Sequence, residues 1–217
     1  MKLMTTSIVL TLILACAAQG QPDFQVGNLN PPVESFEFLH TGQEAYAYLI
    51  YPPDQWTCTE GGFELLSVNM LLEFIQGQVP VDFAAVGGLA EAVWDPTLNA
   101  FVPGPQICEG PEVMFHAETS GQFTVMLPVD EACDCQIFDG HYFLTVRYLD
   151  AFEANLPIDD QPLAGVVYND KGAGWVDMID FDKTARGKVI IWGDTVCGTC
   201  SVGNESGTWS GIKSLYR

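Results

Sequence analysis

Residues 63–75 read Phe-Glu-Leu-Leu-Ser-Val-Asn-Met-Leu-Leu-Glu-Phe-Ile, and this order constrains the fold more than any other stretch. Leu66, Val68, Met70, Leu72 and Phe74 recur at every second position, with Ser67, Asn69 and Glu73 between them. A helix would scatter those polar residues around its circumference. A strand sends successive side chains to opposite faces, so the segment is predicted to be a long strand with one buried face.

The same period recurs along the chain. Ser35–Leu39 and Glu44–Tyr51 are extended candidates, and Tyr46, Tyr48 and Ile50 share a face of the second. In His141–Leu149, the apolar Tyr142, Leu144, Val146 and Tyr148 alternate with His141, Thr145 and Arg147. Val81–Trp94 holds alanines that suit a helix, but Gly87-Gly88 weakens one, and Asp95–Asn99 is a turn that returns through Ala100–Val102; a strand is predicted. Val113–Glu118 and Gln122–Leu127 flank Thr119-Ser120-Gly121, a hairpin-like signal. Leu163–Tyr168, Gly174–Phe181 and Lys188–Gly193 complete the set.

About ten short strands broken by glycine, proline and aspartate turns, without alternating long helices, predict an all-β fold. The expected form is an antiparallel β-sandwich of jelly-roll or Ig-like type. With 48% hydrophobic residues and no linker or repeat, residues 21–200 read as one domain and 201–217 as a polar tail.

Residues 1–20 read as a signal peptide: Lys2, an apolar run from Ile8 to Ala15, then Cys16 and small residues. The run is too short to span a bilayer, and no transmembrane segment follows. The expected location is secreted or extracellular. Ile13-Leu14-Ala15-Cys16 also approximates a lipobox, so a lipid anchor at Cys16 on the cell envelope is the alternative.

A formal charge of −20 repels nucleic acid and anionic lipid, which bind through lysine and arginine. Loss of the leader removes Lys2 and no acid, so the mature chain is more acidic still. Beyond the leader stand Cys58, Cys108, Cys133, Cys135, Cys197 and Cys200. An even count in an exported chain predicts disulfides, with 15 formal connectivities for six cysteines. Cys133-Asp134-Cys135 and Cys197-Gly198-Thr199-Cys200 also resemble two halves of a four-thiolate zinc site, which an oxidising compartment disfavours.

Chemistry is sparse. His40, His116 and His141 have no ligand spacing, and there is no nucleophile elbow, phosphate loop or Ser-X-X-Lys pair. Asn169–Asp177 is the most distinctive segment: its turn-forming residues, with Asp170, Asp177 and Asp180, are either plain turns or calcium ligands. No other cofactor is implied. Trp175, Trp192 and Trp209, with Asn169, are the candidate ligand-binding residues, because exposed indoles stack on sugar rings.

Gly62–Met70, Cys133-Asp134-Cys135, Gly174-Trp175-Val176-Asp177 and Val189–Asp194 resemble blocks of uncharacterised secreted bacterial β-rich proteins. The resemblance implies an extracellular β-protein and brings no activity or site residues. The function expected is therefore a non-catalytic extracellular or cell-surface module, adhesive or structural, with polysaccharide or a cell-surface protein as partner. Its rivals are a secreted carbohydrate-active hydrolase using paired carboxylates and a carbohydrate-binding module.

Thiol titration of the denatured, unreduced mature protein is expected to read near zero. A reading of about four would favour the zinc site instead.

Overall fold

The computed structural model describes residues 21–129, 133, 135–180 and 187–198. The leader with Cys16, Trp209, Cys200 and the tail 201–217 lie outside the described residues. The described chain is almost entirely strand: β1 (Phe24–Gly27), β2 (Glu34–His40), β3 (Ala45–Ile50), β4 (Gly62–Phe74), β5 (Val81–Asp95), β6 (Ala100–Glu109) and β7 (Val113–Ala117) form its first half. The second half holds β8 (Gly121–Pro128), β9 (Gln136–Ile137), β10 (Tyr142–Tyr148), β11 (Phe152–Ile158), β12 (Val167–Asp170), β13 (Val176–Asp177) and β14 (Ile191–Gly198). No described helix is long and apolar enough to cross a membrane.

Two antiparallel sheets pack face to face. The first runs β1-β14-β4-β11-β2, with β8 and β9 also on β4; the second runs β13-β12-β3-β10-β5-β6, with β7 on β5. This is the all-β sandwich the alternation predicts. Tyr46, Tyr48 and Ile50 from β3 and Leu144, Val146 and Tyr148 from β10 point into the core against Val68, Met70, Leu72 and Phe74 of β4.

β4 departs from strict alternation at one place. Ser67 faces Asp194 and Leu65 faces Thr195, so Leu66 is an extra residue between consecutive partners. This bulge turns Leu65 inward, 1% exposed, and moves Leu66 off the predicted face. Ser67 and Asn69 lie on the opposite face as predicted, yet both are buried: β14 and β8 flank them in the sheet, and both side chains donate to the Asp194 carboxylate.

A second correction concerns Thr119-Ser120-Gly121. β7 pairs with β5, from Val81↔Ala117 to Ala85↔Val113, whereas β8 pairs with β4 along Ser67–Phe74. The chain crosses between sheets there instead of forming a hairpin. The turn residues fit either path, and the choice is made by which apolar face each strand can bury.

Disulfides tie the layers together. Cys58 pairs with Cys197 of β14, and Cys108 of β6 with Cys133; Cys135 is disulfide-bonded as well. Cys133 and Cys197 thus sit in different bridges, which corrects the zinc alternative. Each such closure contributes on the order of 2–5 kcal/mol.

The sheets approach closely at Gly87, where a Cβ would come within 2.7 Å of the Leu127 Cβ and 3.3 Å of the Val68 Cβ. Both are stem atoms that cannot swing aside. Gly87→Ala is expected to cost about 1–3 kcal/mol, read as a lower urea midpoint with unchanged slope. An unchanged midpoint would show that the sheets are not locked together there.

Candidate ligand-binding face

The second sheet curls, and its curl builds a site on the face away from the core. β5 and β6 form a long hairpin whose tip turns at Asp95, with the Asp95 carboxylate accepting from the amides of Thr97 and Leu98. Near that tip Phe101 reaches the other end of the sheet. Its carbonyl accepts a 2.8 Å hydrogen bond from the Tyr168 hydroxyl on β12, and Ala100 lies against Gly165. Beneath this closure a second small core forms from Ala47, Ala90, Phe143 and Tyr168, with Leu49, Val102 and Trp175 packed against it.

A run of rings borders that core. Tyr51 stacks on His141 with centroids 4.5 Å apart, His141 stacks on Phe101 at 4.5 Å, and Trp94 meets Phe101 edge-on at 5.2 Å. The four come from the end of β3, the turn before β10, and the two arms of the hairpin. Trp94 is 49% exposed, and Leu98 beyond it is 61% exposed. An indole half open to solvent and held by an edge contact keeps apolar ring surface available for stacking.

Among the candidates from sequence, Trp175 joins this face, and Asn169 and Trp192 do not. Asn169 is turned inward and donates 2.7 Å to the carboxylate of Glu44. Trp192 lies on the outer face of the other sheet, beside Asn69 and in the same region as Asp194, which accepts from Gln25, Ser67 and Asn69. Tyr51, Trp94, Phe101 and His141 carry no joint sequence signal. The nearest hint was the strength of the β5–β6 hairpin, whose tip had to pack somewhere.

The aspartates of the distinctive segment are engaged by backbone. Asp170 accepts from the amides of Gly172 and Gly174; Asp177 accepts from those of Gly165 and Ile179. Burial, with Asp180 nearby, raises the Asp177 pKa in spite of those two amides. No group of three or more His, Cys, Asp or Glu side chains among the described residues is placed to hold a metal.

Carboxylates also line a cleft of about 170 Å³ on the first sheet, where Glu34 and Glu73 face Ser35, Gln122 and Pro157. Ser35 donates to Glu73 there.

A buried polar hub lies between the sheets. Glu44, fully buried, accepts from the Thr41 amide at 2.8 Å, the Tyr46 hydroxyl at 2.9 Å and Asn169, with the Lys171 ammonium 3.7 Å away. His40 is 3.9 Å from the same carboxylate, hydrogen-bonds Tyr46 through Nδ1 at 3.1 Å and stacks on Phe152. Burial, helped by the Lys171 charge, holds the His40 pKa down to about 3, so the ring is neutral and the contact with Glu44 is not an ion pair.

No family model matches the chain, and no curated protein matches it. Two solved structures are similar in part. One is a clostridial cysteine protease, Cwp84, after propeptide cleavage, at 11% identity and TM-score 0.46, covering 78% of this chain and 42% of that one. The other holds the cysteine protease and lectin-like domains of Cwp84, described as a surface layer associated protein of Clostridium difficile. It matches at 11% identity and TM-score 0.45, covering 78% of this chain and 37% of that one. The chain thus spans less than half the length of either.

Because the folded pKa of His40 lies below the ordinary 6.5, the unfolded chain binds the extra proton as pH falls from 6.5 towards 3. Stability present above pH 6.5 is therefore lost over that window, by about 1.4 kcal/mol per pH unit from this group. His40→Phe is expected to keep the ring packing and flatten the acid slope. Urea unfolding of both proteins at pH 7 and pH 5 checks this; parallel losses would show that His40 is not responsible.

Proposed function

We propose that the protein is a non-catalytic, extracellular β-sandwich module that binds polysaccharide through the aromatic face of its second sheet. The observation that carries this reading is the continuous ring run Tyr51–His141–Phe101–Trp94, with its terminal indole half exposed. Aromatic planes fixed by one another stack on sugar rings with little loss of side-chain freedom. The leader and the disulfides support export to an oxidising space, freely or through a lipid anchor at Cys16.

Binding is favoured over hydrolysis by what the carboxylates do. Glu44 is saturated by its own donors, and Asp159 accepts from the Lys188 and Gln161 amides and from Asn30 while pairing with the Lys188 ammonium. Glu34 and Glu73 sit on the other sheet from the rings. The adhesive or structural role expected from sequence is the use such binding would serve at a bacterial surface, in keeping with the resemblance to uncharacterised secreted β-rich proteins.

Retention on a panel of insoluble polysaccharides tests the reading. The wild type is expected to be retained without releasing soluble sugar, and Trp94→Ala to weaken retention about tenfold at an unchanged Tm. Release of sugar, or retention indifferent to Trp94, would overturn it.

A further inference from the structure

One disulfide partner is still to be placed. Cys58 is joined to Cys197 and Cys108 to Cys133. Cys135 is disulfide-bonded as well, and the cysteines that those two bridges leave over are Cys16 and Cys200. Its sulfur is therefore joined to one of these two or to a cysteine of a second copy of the chain.

Cys135 directly precedes β9, which pairs with the start of β4: Gln136 lies opposite Phe63 and Ile137 opposite Gly62. The end of β14 pairs with the same two residues along the other edge of β4, Cys197 with Phe63 and Gly198 with Gly62. The Cys135 sulfur reaches that end, because a Cβ built on Gly198 would lie only 3.0 Å from it. A side chain at Gly198 would crowd the sulfur, so the glycine in Cys197-Gly198-Thr199-Cys200 leaves room for it. Cys200 stands two residues after Gly198, and two residues span at most about 7 Å. A disulfide joins Cα atoms roughly 4–7 Å apart, so a sulfur already beside Gly198 is within reach of Cys200. Cys16 has no such claim: it belongs to the leader, where cleavage removes it and lipidation at the lipobox would use up its thiol.

We infer that Cys135 and Cys200 form a third disulfide, which locks the end of β14 beside the Cys58–Cys197 bridge and fixes where the polar segment 201–217 joins the sandwich. As the S–S bond forms, the two thiols give up two protons and two electrons. A disulfide oxidant of the exported space accepts them by exchange and leaves as a dithiol. The segment pinned in this way runs from Cys135 through β9 into His141, the ring held between Tyr51 and Phe101. The next residue, Tyr142, ties back to β9 by donating its hydroxyl to the Ile137 carbonyl at 3.1 Å. The bond is independent of what the rings bind.

The protein exported from the full-length chain is alkylated without reduction, denatured and digested with a protease that cuts before aspartate. Asp134 separates Cys133 from Cys135, so their two bridges are read apart. The expected product is one three-chain species made of the peptides that begin at Asp54, Asp134 and Asp194. These carry Cys58, Cys135, and Cys197 with Cys200, and they separate on reduction. In Cys200→Ser, Cys135 is expected to become the single alkylated cysteine while Cys58 stays bonded to Cys197.

A Cys135 peptide joined to a peptide carrying Cys16, or alkylated in the wild type, would overturn the inference. So would a chain that runs as a dimer until reduced, or Cys58 in place of Cys135 as the thiol freed in Cys200→Ser. The wild-type peptides decide among the partners even where Cys200→Ser fails to fold.

Discussion

Two adjacent glycines set how this sandwich is put together. Gly87 faces the core, where the opposite sheet comes so close that Leu127 and Val68 occupy the space of a side chain. Gly88 faces outward, and there the Gln106 amide crosses it to bond the Cys108 carbonyl at 2.7 Å and the Thr145 hydroxyl at 2.8 Å. β6 takes that position because its register against β5 shifts between Leu89 and Ala92. The shift bends the hairpin, and the bend lets Phe101 reach Tyr168. Close sheet packing on one face and the curl that builds the candidate site on the other therefore meet at a single dipeptide.

The closure by Tyr168 is energetically modest and geometrically decisive. One neutral hydrogen bond contributes about 1 kcal/mol net. It nevertheless fixes the hairpin tip over Phe143 and Ala47, so a small apolar patch that would otherwise face water becomes a second core. The rings at its border are then held in place by stacking on one another. A face that needs no rearrangement to accept a ligand avoids much of the ordering cost of binding.

Where each segment's own pattern decided its structure, the sequence was readable. The alternation in 44–51 and 141–149, and in 63–75 from Val68 onward, marks the core faces, and Gly87-Gly88 lies within a strand. Leu66 was misplaced because a bulge depends on the partner strand, here the step from Asp194 to Thr195, and leaves no mark on the bulged strand itself. Thr119–Gly121 misled for the same reason, since a turn's chemistry does not say which sheet receives the next strand. The site was harder still. Its rings come from four places along the chain, and of the candidate ligand-binding residues only Trp175 packs there. Asn169 carried a turn-like context and proved to serve Glu44 from within.

The distribution of charge follows from how few cations the chain has. With 8 basic residues against 28 acidic ones, repulsion among surface carboxylates works against the compact state. The three cations that the described residues resolve in pairs each join separate elements: Arg147 links β10 to Glu109 of β6, Lys171 lies between Glu44 and Phe38 of β2, and Lys188 holds Asp159 after β11. Each is committed to one carboxylate, Lys188 in a buried pair and Arg147 and Lys171 while partly exposed. The disulfides supply stability that does not depend on charge, so the protein tolerates an acidic exterior.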